Sequence, residues 1–209
     1  MPDPARAGRA TLAGLLAAIV PHDPTEQAAL ERASTWIASG ADLYRTAKPA
    51  TPPQHLVSYF QVIDPDTGFL LLGEHRNAGL LLPNGGHVEP DEAPWDAVVR
   101  ECAEELRLRA RPSAQFGTAP VFCSVTTTKG AATERHVDVS LWHVVHATAV
   151  EVSHFDEAEF AAMHWLSPHD ILSTALDRLD PCMHRFVHKL QRAAGEPPTR
   201  GVAPQRPAP

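Results

Sequence analysis

Residues 86–108 read GHVEPDEAPWDAVVRECAEELRL, and the spacing inside this stretch decides how the chain is read. A helix is expected over about Asp91–Leu108. Wound at about 100° per residue, it places Trp95, Val98, Val99, Cys102 and Leu106 on one side as an apolar stripe. Glu101, Glu104 and Glu105 then stand at i, i+3 and i+4 on an adjacent face. Like charges at that spacing cost about 0.2–0.5 kcal/mol per pair in an isolated helix. A hard divalent cation would relieve the repulsion, since Mg²⁺ prefers carboxylate and phosphate oxygens. Pro83-Asn84-Gly85-Gly86 just upstream allows close backbone approach to a ligand or metal. Three glutamates in one turn, taken alone, would read as a solvated helix face; the spacing of the whole stretch says otherwise.

Working outward, His55–Ile63 and Phe69–Gly73 read as two strands around an Asp64–Gly68 turn, a hairpin. Leu80–Leu82 and His87–Glu89 are short strand candidates on either side of the Pro-Asn-Gly-Gly bend. Further strands are expected near Gln115–Thr127, His136–Ala147 and Met163–Leu166. Ser167-Pro168 starts a helix, and another covers Met183 to Ala193. Residues 1–50 look helical. One helix is expected over Thr11–Val20 with Leu12, Leu15, Leu16 and Ile19 inward. A second is capped at Asp23 with Pro24 at its first position, and carries the stripe Leu30, Ala33, Trp36 and Ile37. The prolines of Lys48–Pro53 make a linker. The expected organisation is therefore a helical extension over 1–50, a domain over 51–194, and a disordered Pro-rich tail over 195–209.

The chain has 209 residues, and its net charge of −7 argues against a general phosphate-backbone binder. No nucleic-acid partner is expected. No apolar run approaches the roughly 18 residues that would span a bilayer, and Val20-Pro21-His22-Asp23 lacks a signal-peptide cleavage pattern. Cys102, Cys123 and Cys182 form no CxxC pair and suit a reducing cytoplasm.

The stretch itself resembles the Nudix box of the Nudix hydrolases, G-x5-E-x7-R-E-U-x-E-E-x-G-U with U aliphatic. Gly86, Glu92, Arg100, Glu101, Glu104 and Glu105 fall on six of its seven fixed letters, with Cys102 at the aliphatic position. Arg107 stands where the family has glycine. The resemblance extends over about residues 54–175. It implies the α/β class, a Nudix-type α/β/α sandwich with mixed β-sheet, to which the N-terminal helices are added. It also implies metal-dependent hydrolysis of the pyrophosphate linkage in a nucleoside diphosphate derivative: a nucleoside triphosphate, a nucleotide sugar or an ADP-ribose type of substrate.

Carried over by position, Glu101, Glu104 and Glu105 match the metal-binding and catalytic glutamates, with a backbone carbonyl at Gly85 or Gly86 as a further ligand. The implied ion is Mg²⁺ or Mn²⁺. Arg100 and Glu92 match positions that tie the loop to the helix. Glu159 is chosen as the additional acid many members use, ahead of Asp156 and Glu157. Family precedent and the apolar N-terminal helices favour a homodimer.

From the residues themselves, Arg76 is a candidate for a substrate phosphate. His136, Asp138, Ser140 and Trp142 share one strand face and could line a base or ribose pocket, with Phe122 on the neighbouring strand. His184 and His188 at i, i+4 find no further ligand and read as a solvated helix face. The competing class is a catalytically silent nucleotide-binding protein, a sensor or scaffold on the same fold; the three intact glutamates speak against it. A diphosphate isomerase, for which Cys123 qualifies only by presence, ranks last.

Overall fold

Asp23 begins the second helix in the way its side chain suggests, accepting a hydrogen bond from the Glu26 backbone N–H at 2.8 Å. The structure is a computed structural model and describes residues 4–48, 50–129 and 135–195. Helices α1 (Pro4–Ala18) and α2 (Pro24–Ala38) pack against each other, and α2 lies on strand β5 (Phe122–Thr127). Leu12, Leu16, Ala33 and Ile37 bury their side chains in one core with Leu56 and Val139. Glu26 is fully buried at this seam. Its carboxylate accepts from the His22 N–H at 2.6 Å and from the Cys123 N–H at 3.2 Å. A donor on β5 is thus satisfied by a helix side chain, which also removes it as a template for another strand.

The chain divides into two compact units. The first comprises Met1–Phe60, Gly85–Glu101 and Pro112–Val144. It holds α1, α2, most of strand β1 (Gln54–Ile63), most of β4 (Asn84–His87), the start of α3 (Pro94–Leu106), β5, and most of β6 (Val137–His146). Here β4 pairs with β1, and β5 runs antiparallel to β6 from Phe122↔Trp142 to Thr127↔Val137. The second comprises Gln61–Asn84, Cys102–Arg111 and Val145–Pro209. In it β2 (Leu70–His75) pairs antiparallel with β3 (Leu80–Leu82) and with β7 (Phe160–Leu166). The hairpin is present as Ile63↔Leu70, its turn held by Asp66 and Thr67 N–H groups on the Asp64 carboxylate. Helix α4 (Pro168–Ser173) carries a capping box between Ser167 and Asp170, and α5 covers Met183–Ala194. Within the first unit the pairing runs β4-β1-β6-β5, and within the second β3-β2-β7. The chain is of the α/β class with a mixed sheet and added N-terminal helices.

Several expected boundaries move. The first helix starts at Pro4 and ends at Ala18, three residues before Pro21. The segment read as a bend followed by a strand at His87–Glu89 is itself strand β4, Asn84–His87. Glycine permits that pairing: a Cβ on Gly85 would strike the Ser58 carbonyl and come within 2.8 Å of Tyr59 Cα. Helix α3 is shorter at both ends than Asp91–Leu108, with Asp91 and Arg107 in the left-handed region at φ 64° and 52°. The strand expected from Gln115 starts only at Phe122, after a turn closed by Gly117 N–H on Ser113 O. The tail lies outside the described residues beyond Gly195, which ends α5 at φ 67°. No described helix is long and apolar enough to cross a membrane. All three cysteines are buried thiols.

Candidate functional site

Helix α3 does not separate its acids from its apolar side as the sequence suggested. Val99 is exposed, whereas Ala97, Val98, Cys102 and Leu106 are buried. Glu105 projects within about 20° of Val98 when the helix is wound at 3.6 residues per turn, and it is 3% exposed. A carboxylate is therefore set inside the buried stripe. Asn84 Nδ2 donates to Glu105 Oε2 at 2.8 Å and supplies one of its hydrogen bonds. Beside it, burial and the Glu105 charge push the Cys102 thiol up to about 12, so Cys102 is a packing residue and not a nucleophile. Glu104, on the same turn, is exposed.

Glu101 belongs to a second cluster, built around Arg100. The guanidinium forks onto Glu92, Nε to Oε1 at 2.9 Å and Nη2 to Oε2 at 3.0 Å. It also donates to Glu101 Oε1 at 2.7 Å and to the His87 carbonyl at 3.0 Å. These bonds hold the Arg100 pKa above its ordinary value, Glu92 contributing most. Burial tends to raise the Glu92 carboxyl, but the Arg100 hydrogen bond and charge outweigh it and leave it lowered. Gly86 faces the Glu101 carboxylate: a Cβ there would strike Glu101 Oε1 and lie 2.6 Å from Cδ. The bare backbone of β4 and the Glu101 carboxylate are thus in direct apposition.

Arg76 and Glu159, nominated separately, meet. The Arg76 N–H donates to Glu159 O at 2.9 Å, and its Nε donates to Glu157 O at 2.9 Å. Glu159 Oε1 lies 3.3 Å from His75 Nε2. The same loop reaches the end of α3, where Asp156 N–H donates to Glu105 O at 2.7 Å. Asp156, Glu157 and Glu159 are therefore anchored beside the helix turn that carries Glu105.

Phe122 is fully buried, edge-on to Trp142 with centroids 5.5 Å apart, and presents no surface to a ligand. Trp142 donates to Ser124 Oγ at 2.9 Å and packs on Tyr59. That part of the β6 face is interior. His136 and Asp138, at its other end, join two residues that the sequence reading did not single out, His55 and His87. Asp138 Oδ1 lies 3.3 Å from His136 Nε2, 3.4 Å from His55 Nε2 and 4.0 Å from His87 Nε2. One ligand atom from each of the four residues lies within 4.8 Å of all the others. Burial lowers the His87 pKa to about 3, assisted by the positive charge of Arg45. His55 and His87 escaped notice because they come from separate strands and fall in no spacing pattern. Asn84 was hidden inside the Gly-rich bend.

The NUDIX domain matches residues 53–190. Among solved structures, the chain resembles the MutT protein from Methanosarcina mazei Go1 at 19% identity and a TM-score of 0.51, over 72% of this chain and 100% of that one. It also resembles a MutT NUDIX hydrolase from Burkholderia pseudomallei, with 20% identity, a TM-score of 0.49, and 66% and 98% coverage. A third is a C. elegans Ap4A hydrolase, with 14% identity, a TM-score of 0.47, and 68% and 97% coverage. Only the first of these three bears on the fold. No curated protein matches.

Proposed function

The chain belongs to the NUDIX family, and on that premise we propose that it hydrolyses the pyrophosphate linkage of a nucleoside diphosphate derivative with the help of Mg²⁺ or Mn²⁺. The observation that carries this reading is Glu105, a carboxylate placed within the apolar stripe of α3 and held there by Asn84. A solvated acidic face would have pointed it at water. Its burial a turn away from Glu101 and beside exposed Glu104 suits a ligand set that receives positive charge. The bare backbone of Gly86 against the Glu101 carboxylate suits it equally. Glu101, Glu104 and Glu105 would hold the ion, with the Gly85 or Gly86 carbonyl as a further ligand. When bound, it would supply neutralisation of phosphate charge and a lowered pKa for water.

The remaining work falls to the chain's own groups. Arg100 fixes the Glu101 carboxylate by a 2.7 Å bond while Glu92 anchors Arg100 from the other side. Glu159 stands in an anchored loop, part-exposed, with its carboxylate 3.3 Å from His75 Nε2, so it is our choice to take the proton as water attacks phosphorus. Glu101 and Glu105 are the competitors for that role. Arg76 spends Nε on the Glu157 carbonyl, and its terminal nitrogens are proposed for a substrate phosphate. The partner is a small nucleotide, and the compartment we propose is the cytoplasm. Incubating the protein with metal and a nucleotide panel, and separating the products, tests this: release of a nucleoside monophosphate supports it. Ligand-induced thermal shifts without turnover would instead indicate a binding-only protein.

A further inference from the structure

The four residues His55, His87, His136 and Asp138 come from three separate segments: β1, the end of β4, and residues 136–138 leading into β6. Their chemistry differs from that of α3. Three imidazoles and one carboxylate form a nitrogen-rich donor set, whereas Mg²⁺ selects oxygens.

The ring protons are the decisive detail. His55 Nδ1 lies 3.0 Å from the Pro52 carbonyl, which can only accept, so Nδ1 carries a proton, and in the neutral ring Nε2 presents a lone pair. Nε2 faces Asp138 Oδ1 at 3.4 Å, another lone pair. His55 is fully buried, and His55 Nε2, His87 Nε2 and Asp138 Oδ1 are buried atoms without a hydrogen-bond partner. His136 Nδ1 likewise sits 3.4 Å from Thr128 Oγ1 and turns Nε2 toward Asp138. An oxygen behind one ring nitrogen with the other aimed at a common point is how metal-ligating histidines are oriented.

Distances agree. Ligands at about 2.0–2.1 Å from a tetrahedral zinc ion stand about 3.3–3.4 Å from one another. The separations from Asp138 Oδ1 to His136 and His55 are 3.3 and 3.4 Å, and His87 at 4.0 Å needs only a small inward movement.

We propose that His55, His87, His136 and Asp138 form a structural site for one zinc-class divalent ion, separate in ligands and chemistry from the glutamates of α3. Four protein donors close the coordination sphere, which marks the site as structural and not hydrolytic. The ion ties β1, β4 and β6 together. Because His87 follows Gly86, it also steadies the backbone that faces Glu101.

The test uses the full chain and does not depend on hydrolysis. Protein purified without chelator is analysed for metal, then stripped and titrated with Co²⁺ as a spectroscopic probe. The expected result is about one equivalent of transition metal per chain and the intense visible bands of tetrahedral Co²⁺. Asp138→Asn should weaken Co²⁺ binding at least about 100-fold. His136→Gln, at the more accessible edge of the cluster, should do so too if the first variant folds poorly. Glu104→Gln should leave the intense tetrahedral Co²⁺ bands unchanged. Stripping should lower the melting temperature of the wild type but not of Asp138→Asn. A metal-free wild type that gives no tetrahedral spectrum, or equal Co²⁺ affinity in wild type and Asp138→Asn, overturns the proposal.

Discussion

Gly86→Ala isolates the role of the backbone beside Glu101. Gly86 lacks the positive φ that Gly85 has, so alanine adds a methyl group without backbone strain. The three atoms nearest that methyl all belong to Glu101: it would overlap Oε1, lie 2.6 Å from Cδ and 3.1 Å from Oε2. Ordinary contact begins near 3.4 Å, so the carboxylate has to retreat by about 0.8 Å or more. It is held in place by the 2.7 Å bond from Arg100, so retreat also stretches a charge-assisted hydrogen bond. A misplacement of about 1 Å in a catalytic constellation costs on the order of 100-fold in rate. The assay is steady-state turnover at saturating Mg²⁺ on the best nucleotide of the panel, with the melting temperature recorded in parallel. Turnover is expected to fall about 10- to 100-fold while the melting temperature drops by only a few degrees. Turnover within about twofold of wild type would show that Glu101 can be displaced without consequence.

Arg107→Gly should stabilise the protein. A non-glycine residue at φ 52° carries about 1–2 kcal/mol of left-handed strain. The greater chain entropy of glycine offsets about 0.5–1 kcal/mol of the gain. A rise of about 1–4 °C in melting temperature is expected, with no gain for Arg107→Ala; a fall for the glycine variant would contradict this. Arg100→Lys breaks the fork onto Glu92 and is expected to cost about 1–2 kcal/mol in urea unfolding; unchanged stability would show that the fork contributes nothing. His143, with burial pulling its pKa to about 4, adds stability that is complete above its ordinary pKa of 6.5 and is lost as the pH falls toward 4. Wild type should therefore lose roughly 2–3 kcal/mol more than His143→Gln between pH 7 and 4.5, and parallel pH profiles would rule this out.

The stretch at 86–108 made the family legible because its letters sit at fixed spacing on one loop and one helix. Local chemistry was legible too: Asp23 and Ser167 cap the helices they were expected to cap. Where long-range contact decides, the sequence said less. The apolar stripe of α3 was drawn through Val99 by hydrophobicity alone, whereas packing turned Val99 out and Glu105 in. At 3.6 residues per turn Glu105 falls within about 20° of Val98, so the sequence itself carries its inward direction. The histidine cluster is brought together by strand pairing between residues more than thirty positions apart, and no periodicity records that. Phe122 and Trp142 were offered to a ligand because strands alternate, but both sides of β6 are covered at those positions. Arg107 is the converse case: its mismatch with the family letter coincides with the backbone conformation that glycine would favour.

If the glutamates of α3 support metal-dependent hydrolysis, neutralising one of them should remove turnover without unfolding the chain. The most direct test compares wild type, Glu104→Gln and Glu105→Gln against nucleoside triphosphates, nucleotide sugars, ADP-ribose and dinucleotides, with Mg²⁺ or Mn²⁺ and with neither. Metal-dependent release of a nucleoside monophosphate is expected from the wild type. Turnover should be at least about 100-fold lower in both variants, at unchanged or higher melting temperature because like-charge repulsion is relieved. Variants that turn over as fast as wild type would show that these glutamates do not carry the reaction.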